Sequence, residues 1–197
     1  MNALNRELPN LAIFRYSIDA GLSRLTVRAF AAGLLSMLGH NPTIGVRSFE
    51  GDVHLAGESL AGAGLYLNVN AASLMVEDQM NDRDRREIEF QMRGPVLEVR
   101  RFPSIVYHCS SVSGHQTAPG QFAVSLNGEL TLHGVTRAQP LDARVNVAGD
   151  LLQASGELTL RQSDYGIKLV SAAAGTLRVK DEVKVAFDIA ARKRKQD

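Results

Sequence analysis

Gln121-Phe-Ala-Val-Ser-Leu-Asn-Gly-Glu-Leu-Thr-Leu132 is the stretch that decides the fold. Phe122, Val124, Leu126, Leu130 and Leu132 sit in one phase, and Gln121, Ser125, Asn127, Glu129 and Thr131 in the other. Successive side chains of a strand point to opposite faces, so a period of two means one dry face and one wet face. The pattern returns after each turn as far as Ala191. Leu141, Ala143, Val145 and Val147 form one apolar row, and Leu152, Ala154, Leu158 and Leu160 the next. In the last strand Val179, Val183, Val185, Phe187 and Ile189 alternate with Arg178, Lys180, Glu182, Lys184 and Asp188. Four such strands in succession predict an antiparallel meander. Its apolar face either packs on itself or encloses a guest.

Upstream the same alternation is interrupted twice. Phe14, Tyr16 and Ile18 mark a first strand, Asp19-Ala20-Gly21 a turn, and Leu25, Val27 and Ala29 a second strand. Ala31, Leu34, Leu35 and Leu38 then fall at helical spacing, which predicts a short helix over 30–39 ending at Gly39. Ile44 and Val46 open a third strand. Phe49, Val53 and Leu55 continue it in the opposite phase, which places a bulge near Arg47–Ser48. Leu65, Leu67 and Val69 give a fourth. Asn81 is a good N-cap for a second helix, with acids in its first turn, Ile88 and Met92 on one face and Gly94 at its end. Ile105 and Tyr107 open the next strand, and residues 113–120 read as a loop. The expectation is an all-β chain: an antiparallel β-barrel of about eight strands with two short helices, since full closure removes exposed strand edges. Residues 1–12 read as an arm, 13–193 as one domain, and 194–197 as a basic tail.

Composition narrows the function. The chain has 197 residues, 45% hydrophobic and 22% charged, with a formal net charge of +1. No global field draws it to nucleic acid. Cys109 is the single cysteine, so no internal disulfide demands an oxidising compartment. Residues 1–10 show no export signal, and the longest apolar tract, 29–38, is too short to span a bilayer. These features read as soluble and cytoplasmic, with no integral membrane segment.

Several landmarks in order resemble the YceI-like domain family. Tyr16-Ser-Ile-Asp19 resembles its opening strand, Ser23-Arg-Leu-Thr-Val27 its second, and Phe49-Glu-Gly51 the start of its next long strand. Asp84-Arg-Arg-Glu87 through Phe102-Pro103 resembles a charged helix leading to a strand start. Gly128-Glu-Leu-Thr-Leu-His-Gly-Val-Thr136 matches the most recognisable stretch, and Ser163-Asp-Tyr-Gly-Ile167 a corner near the C-terminus. The resemblance covers roughly residues 14–193. It implies a lipocalin-like barrel whose apolar channel takes a long-chain amphiphile: a polyisoprenoid, a fatty acid or a fatty amide. Many relatives are secreted, whereas this sequence shows no signal peptide; the segment from Gly33 to Pro42, with His40, resembles a variant branch.

The residues of that channel would be Leu34, Leu35, Leu38, Leu65, Leu67, Ile105, Tyr107, Phe122, Val124, Leu126, Leu158, Leu160, Val183, Val185 and Phe187. Each buried CH₂ is worth about 0.8 kcal/mol, so about ten carbons supply about 8 kcal/mol before ordering costs. Plain core is the competing reading of every one of them. A head group needs polar partners at the mouth. The candidates are His40, after the apolar helix, and Arg161, Gln162 and Tyr165, with Asp164 beside them where the meander turns. The alternatives are a structural histidine and a turn stabilised by Asp164 with a packed Tyr165. The 82–89 charge run reads as a solvated helix face held by internal ion pairs, and Arg192-Lys-Arg-Lys195 as a solvated tail.

Catalysis has little support. His40, His54, His108, His115 and His133 show no metal-ligand spacing, and His108 and Cys109 face opposite ways in a strand. The expectation is a non-enzymatic carrier or sensor with no cofactor and no metal. A ligand-free interaction barrel is one alternative, and an enzyme using His40 with the Arg161–Tyr165 cluster another. A homodimer stays open, because alternation does not reveal an outer apolar strip.

Overall fold

The computed structural model describes residues 13–32, 41–56, 59–169, 171–172 and 177–195. The chain is a mostly antiparallel β structure that closes on itself. Its strands are β1 (Ile13–Ile18), β2 (Arg24–Arg28), β3 (Ala31–Ala32), β4 (Thr43–Val46), β5 (Phe49–Ala56), β6 (Ser59–Asn70), β7 (Leu74–Val76), β8 (Ser104–Ala118), β9 (Gln121–Leu132), β10 (Val135–Ala148), β11 (Leu151–Arg161), β12 (Ser171–Ala172), β13 (Leu177–Val179) and β14 (Glu182–Lys193). Among the described residues one α-helix, α1 (Asp82–Gln91), lies between β7 and β8.

Eight ribbons make the ring. The strand order is β1-β5-β6-β8-β9-β10-β11-β14, and β14 returns to β1. Three ribbons are broken in the middle. β14 pairs along one edge with β11; its other edge meets β2 through Lys184–Asp188 and β1 through Ala191–Lys193. The Asp19 turn therefore bends one ribbon rather than reversing it, and the Gly21 amide donates to Asp19 Oδ1 at 3.1 Å. β4 and β5 are likewise one ribbon, interrupted at Arg47–Ser48 where the phase of apolar residues reverses. β6 and β7 are joined by the 3₁₀ turn Ala71–Ser73, capped by the Asn70 side chain.

Three sequence expectations are corrected. Ala31–Ala32 is extended and pairs with β13, so the helix expected over 30–39 does not include them; residues 33–40 lie outside the described residues. Residues 113–118 belong to β8 and pair with β9, so only Pro119–Gly120 turns. Their polar composition reflects a segment with little buried surface, not a loop. The second helix is capped by Asn81 as expected, its Oδ1 accepting from the Asp84 amide at 2.9 Å. It does not stop at Gly94, however: a wide π-type turn, Met92–Val96, carries it further, and Glu98 takes the left-handed conformation (φ 43°) that ends it.

α1 seals a gap in the wall. β7 is the last strand of its sheet, with one edge unpaired. Glu89 Oε1 accepts from the Val76 amide at 3.0 Å, and Arg93 donates to the Leu74 carbonyl at 2.8 Å. The two side chains, 3.4 Å apart at i and i+4, serve that edge as a neighbouring strand would. They leave the solvated charge run expected over 82–89 with fewer members, since Glu89 turns inward. The C-terminal basic residues are not a free tail either. Arg192 pairs with Asp19 at 2.9 Å, Arg194 with Asp52 at 2.6 Å, and the Lys193 ammonium sits 3.7 Å from the Phe14 ring centroid.

Candidate functional site

The inner wall encloses a cavity of about 700 Å³. Its lining comes from ribbons all around the ring: Leu65, Leu67 and Val69 of β6, Val124 and Leu126 of β9, Leu158 and Leu160 of β11, and Val183, Val185 and Phe187 of β14, among others. Ile88 and Met92 close it on the side of α1. Among the described residues, the polar side chains on the lining are Glu87, Gln91, Tyr107, Gln139 and Gln162.

The wall residues fall into two groups. Tyr107, Val124, Leu126, Leu160 and Val183 are buried against neighbours. Leu65, Leu67, Ile105, Leu141, Leu158, Val185 and Phe187 also point inward, yet remain partly accessible. Inward apolar residues with accessible surface mean that the strands hold opposite walls apart. At the end marked by Lys193 the walls do meet: Tyr16 (2% exposed), Leu152 (2%) and Ala191 (0%) form a separate packed cluster that floors the barrel.

Burial pushes the Tyr107 hydroxyl far above its ordinary range, with Cys109 adding to the rise. The hydroxyl therefore stays protonated and donates to the Gln139 carbonyl at 3.1 Å. The Tyr107 ring lies where a Cβ on Gly128 would stand, which explains a glycine in the middle of a strand.

The landmark motifs meet at the other end. Gly134 (φ 75°) and His133 (φ 53°) make the β9–β10 turn, and the Phe102 ring covers Gly134. The His133 ring is 4.4 Å from Phe102, with Nε2 3.4 Å from Glu98 and Nδ1 3.3 Å from the Tyr165 carbonyl. Segments far apart in sequence thus form one fastening at the barrel rim. The Ser163–Ile167 corner is tied down by Asp181 rather than Asp164: the Asp181 carboxylate accepts from the Ser163 amide at 2.8 Å and hydroxyl at 2.6 Å. Those bonds hold its carboxyl below the usual range.

The structure distributes the sequence-predicted residues as follows. Leu65, Leu67, Ile105, Tyr107, Val124, Leu126, Leu158, Leu160, Val183, Val185 and Phe187 line the cavity. Phe122 does not; it packs against the core outside the lining. Leu34, Leu35, Leu38 and His40 lie outside the described residues. Gln162 lines the cavity, its amide donating to the Lys180 carbonyl at 3.0 Å. Arg161 points away from it and pairs with Glu182 at 3.4 Å across the outer face. Tyr165 is buried (2% exposed) off the lining, its phenol pushed up by burial and by Asp164. The head-group candidates are therefore not gathered at one point. Gln139, which the sequence reading passed over, was accessible to it: stepping back by two from Leu141 lands on Gln139 and then Arg137, both on the inward phase.

Among the described residues no group of three or more His, Cys, Asp or Glu is placed to hold a metal ion. No helix there is long and apolar enough to cross a membrane.

This architecture, a closed antiparallel barrel around an apolar cavity, places the chain in the class of small closed β-barrels. The model of the YceI-like domain matches residues 16–191, and the chain belongs to that family. Solved structures agree in fold. A polyisoprenoid binding domain from Saccharophagus degradans, implicated in plant cell wall breakdown, is 16% identical with a TM-score of 0.68, covering 91% of this chain and 98% of that one. Burkholderia cenocepacia BcnA is 14% identical with a TM-score of 0.66, covering 88% and 98%. The Campylobacter jejuni YCEI protein is 14% identical with a TM-score of 0.55, covering 80% and 87%. No curated protein sequence matches the chain.

Proposed function

We propose that this protein binds the chain of a long amphiphile (a polyisoprenoid, fatty acid or fatty amide) in the barrel cavity, and carries or sequesters it without chemical change. The observation that carries the reading is the hollow apolar wall. A wall of inward residues that keep accessible surface suits a guest with no polar demands along its length, and the volume falls within the range of about 300–1,000 Å³ usual for ligand sites. The polyisoprenoid-binding domain of Saccharophagus degradans, a structural neighbour, supports the choice of ligand class.

The test is native mass spectrometry and organic extraction of the purified protein, followed by titration of the lipid-free form with a fluorescent fatty acid. A bound long-chain lipid, or saturable uptake of the probe, is the expected result. No bound lipid and no uptake would overturn the reading and favour a ligand-free interaction barrel.

A further inference from the structure

The wall is not uniform around the ring. β10 and β11 pair only through Arg144–Ala148 and Leu151–Ser155, although β10 begins at Val135 and β11 runs on to Arg161. Towards the rim the two strands part, forming a seam in the wall.

The residues facing the seam follow from the register. Arg137 is the cross-strand partner of Leu130, and Gln139 of Gly128. Leu130 is buried and lines the cavity, so Arg137 projects from the inner face of β10. It is nonetheless exposed, and it stands close to the start of β10, at the rim. Gln139 lines the cavity and keeps accessible surface there. On the far side of the seam, at the end of β11, Leu160 and Gln162 line the cavity.

Arg137 is also uncommitted. Among the described residues no carboxylate lies within ion-pair distance of it, whereas Arg161, at the end of neighbouring β11, is paired with Glu182. The Gln162–Tyr165 corner packs against both β10 and β11, and the Arg137 charge opposes the rise of the Tyr165 phenol.

We propose that this seam is the head-group site for an anionic amphiphile: Arg137 supplies the cation, Gln139 the neutral hydrogen-bonding group, and the tail enters the cavity past Leu141, Leu158 and Val185. Arg137 and Gln139 are two residues apart on one face of a strand, about 6–7 Å, a spacing that a carboxylate or phosphate head can bridge. A cation at the edge of an otherwise apolar cavity fixes which end of the guest stays outside. The inference rests on the lipid-binding reading above, and it shifts the head group from the Arg161–Tyr165 cluster to the opposite bank of the seam.

The test uses the full chain freed of lipid and three probes of one chain length: hexadecanoate, hexadecyl phosphate and hexadecanol. Both anions are expected to bind the wild type more tightly than the alcohol. Arg137→Glu should weaken at least one anion tenfold or more and the alcohol far less, and Arg137→Lys should keep most of the preference. Loss confined to the carboxylate or to the phosphate identifies the head that is recognised. Arg161→Glu, the same change of charge on the outer face, should shift all three probes alike. If Arg137→Glu shifts all three equally, or none, the seam is not the head-group site and the cavity reading stands. If no probe binds the wild type, the cavity reading falls and this inference with it.

Discussion

Filling the cavity by mutation separates a hollow barrel from a packed one by the sign of a stability change. Val185 projects inward from β14 between Leu158 and Val27, lines the cavity and keeps accessible surface. In a packed core, Val185→Phe forces neighbours off their rotamers and costs about 1–3 kcal/mol. In a cavity of about 700 Å³ the added ring has room. It then buries apolar surface at about 25 cal/mol per Å² and raises the stability of the lipid-free protein by about 1 kcal/mol. The same ring takes volume from the guest, so affinity for a fluorescent fatty acid falls. Ala191→Val is the internal control. Ala191 is fully buried against Tyr16 and Leu152 in the packed floor, and there the added methyl groups should cost about 1–3 kcal/mol. Urea unfolding of the lipid-free proteins, with linear extrapolation, reads both changes. Equal destabilisation by the two variants, with ligand affinity unmoved by Val185→Phe, would refute the hollow barrel.

Further predictions concern the devices that shape the wall. Gly128→Ala puts a Cβ where the Tyr107 ring lies, and should cost about 1–3 kcal/mol in urea unfolding; the cost should shrink in a Tyr107→Ala background. Glu89→Ala leaves the Val76 amide without its acceptor and should cost about 1–2 kcal/mol, with faster hydrogen exchange confined to β7. Asp181→Asn loosens the Ser163 corner and should lower the melting temperature at neutral pH. Because the folded carboxyl is held below its ordinary range, the stability it adds is present above about pH 4 and is lost as pH falls through the folded value. The wild type and Asp181→Asn should therefore converge on acidification, and a gap that widens in acid would contradict the assignment.

Periodicity carried most of the fold. Alternation located the strands, a reversal of phase located the break at Arg47–Ser48, and the cap at Asn81 located α1. It failed where local composition was a poor guide. Residues 113–118 look like a loop because they are polar, yet pairing with β9 satisfies their backbone. Gly94 looks like a helix end, yet the chain continues through a π-type turn to Glu98.

For the site, the sequence by itself determined which residues face inward, since side-chain phase in a strand is a local property. Leu65, Leu158, Val185 and Phe187 were legible on that ground. Only the tertiary structure decided that those residues do not meet across the barrel, that Phe122 stands off the cavity, and that Arg137 faces a seam. The physical reason is that phase names the face a side chain takes. The distance across the barrel, and the places where neighbouring strands part, depend on ring closure and on which turns plug the rim. Those come from residues brought together from distant parts of the chain, such as Glu98, Phe102, His133 and Tyr165.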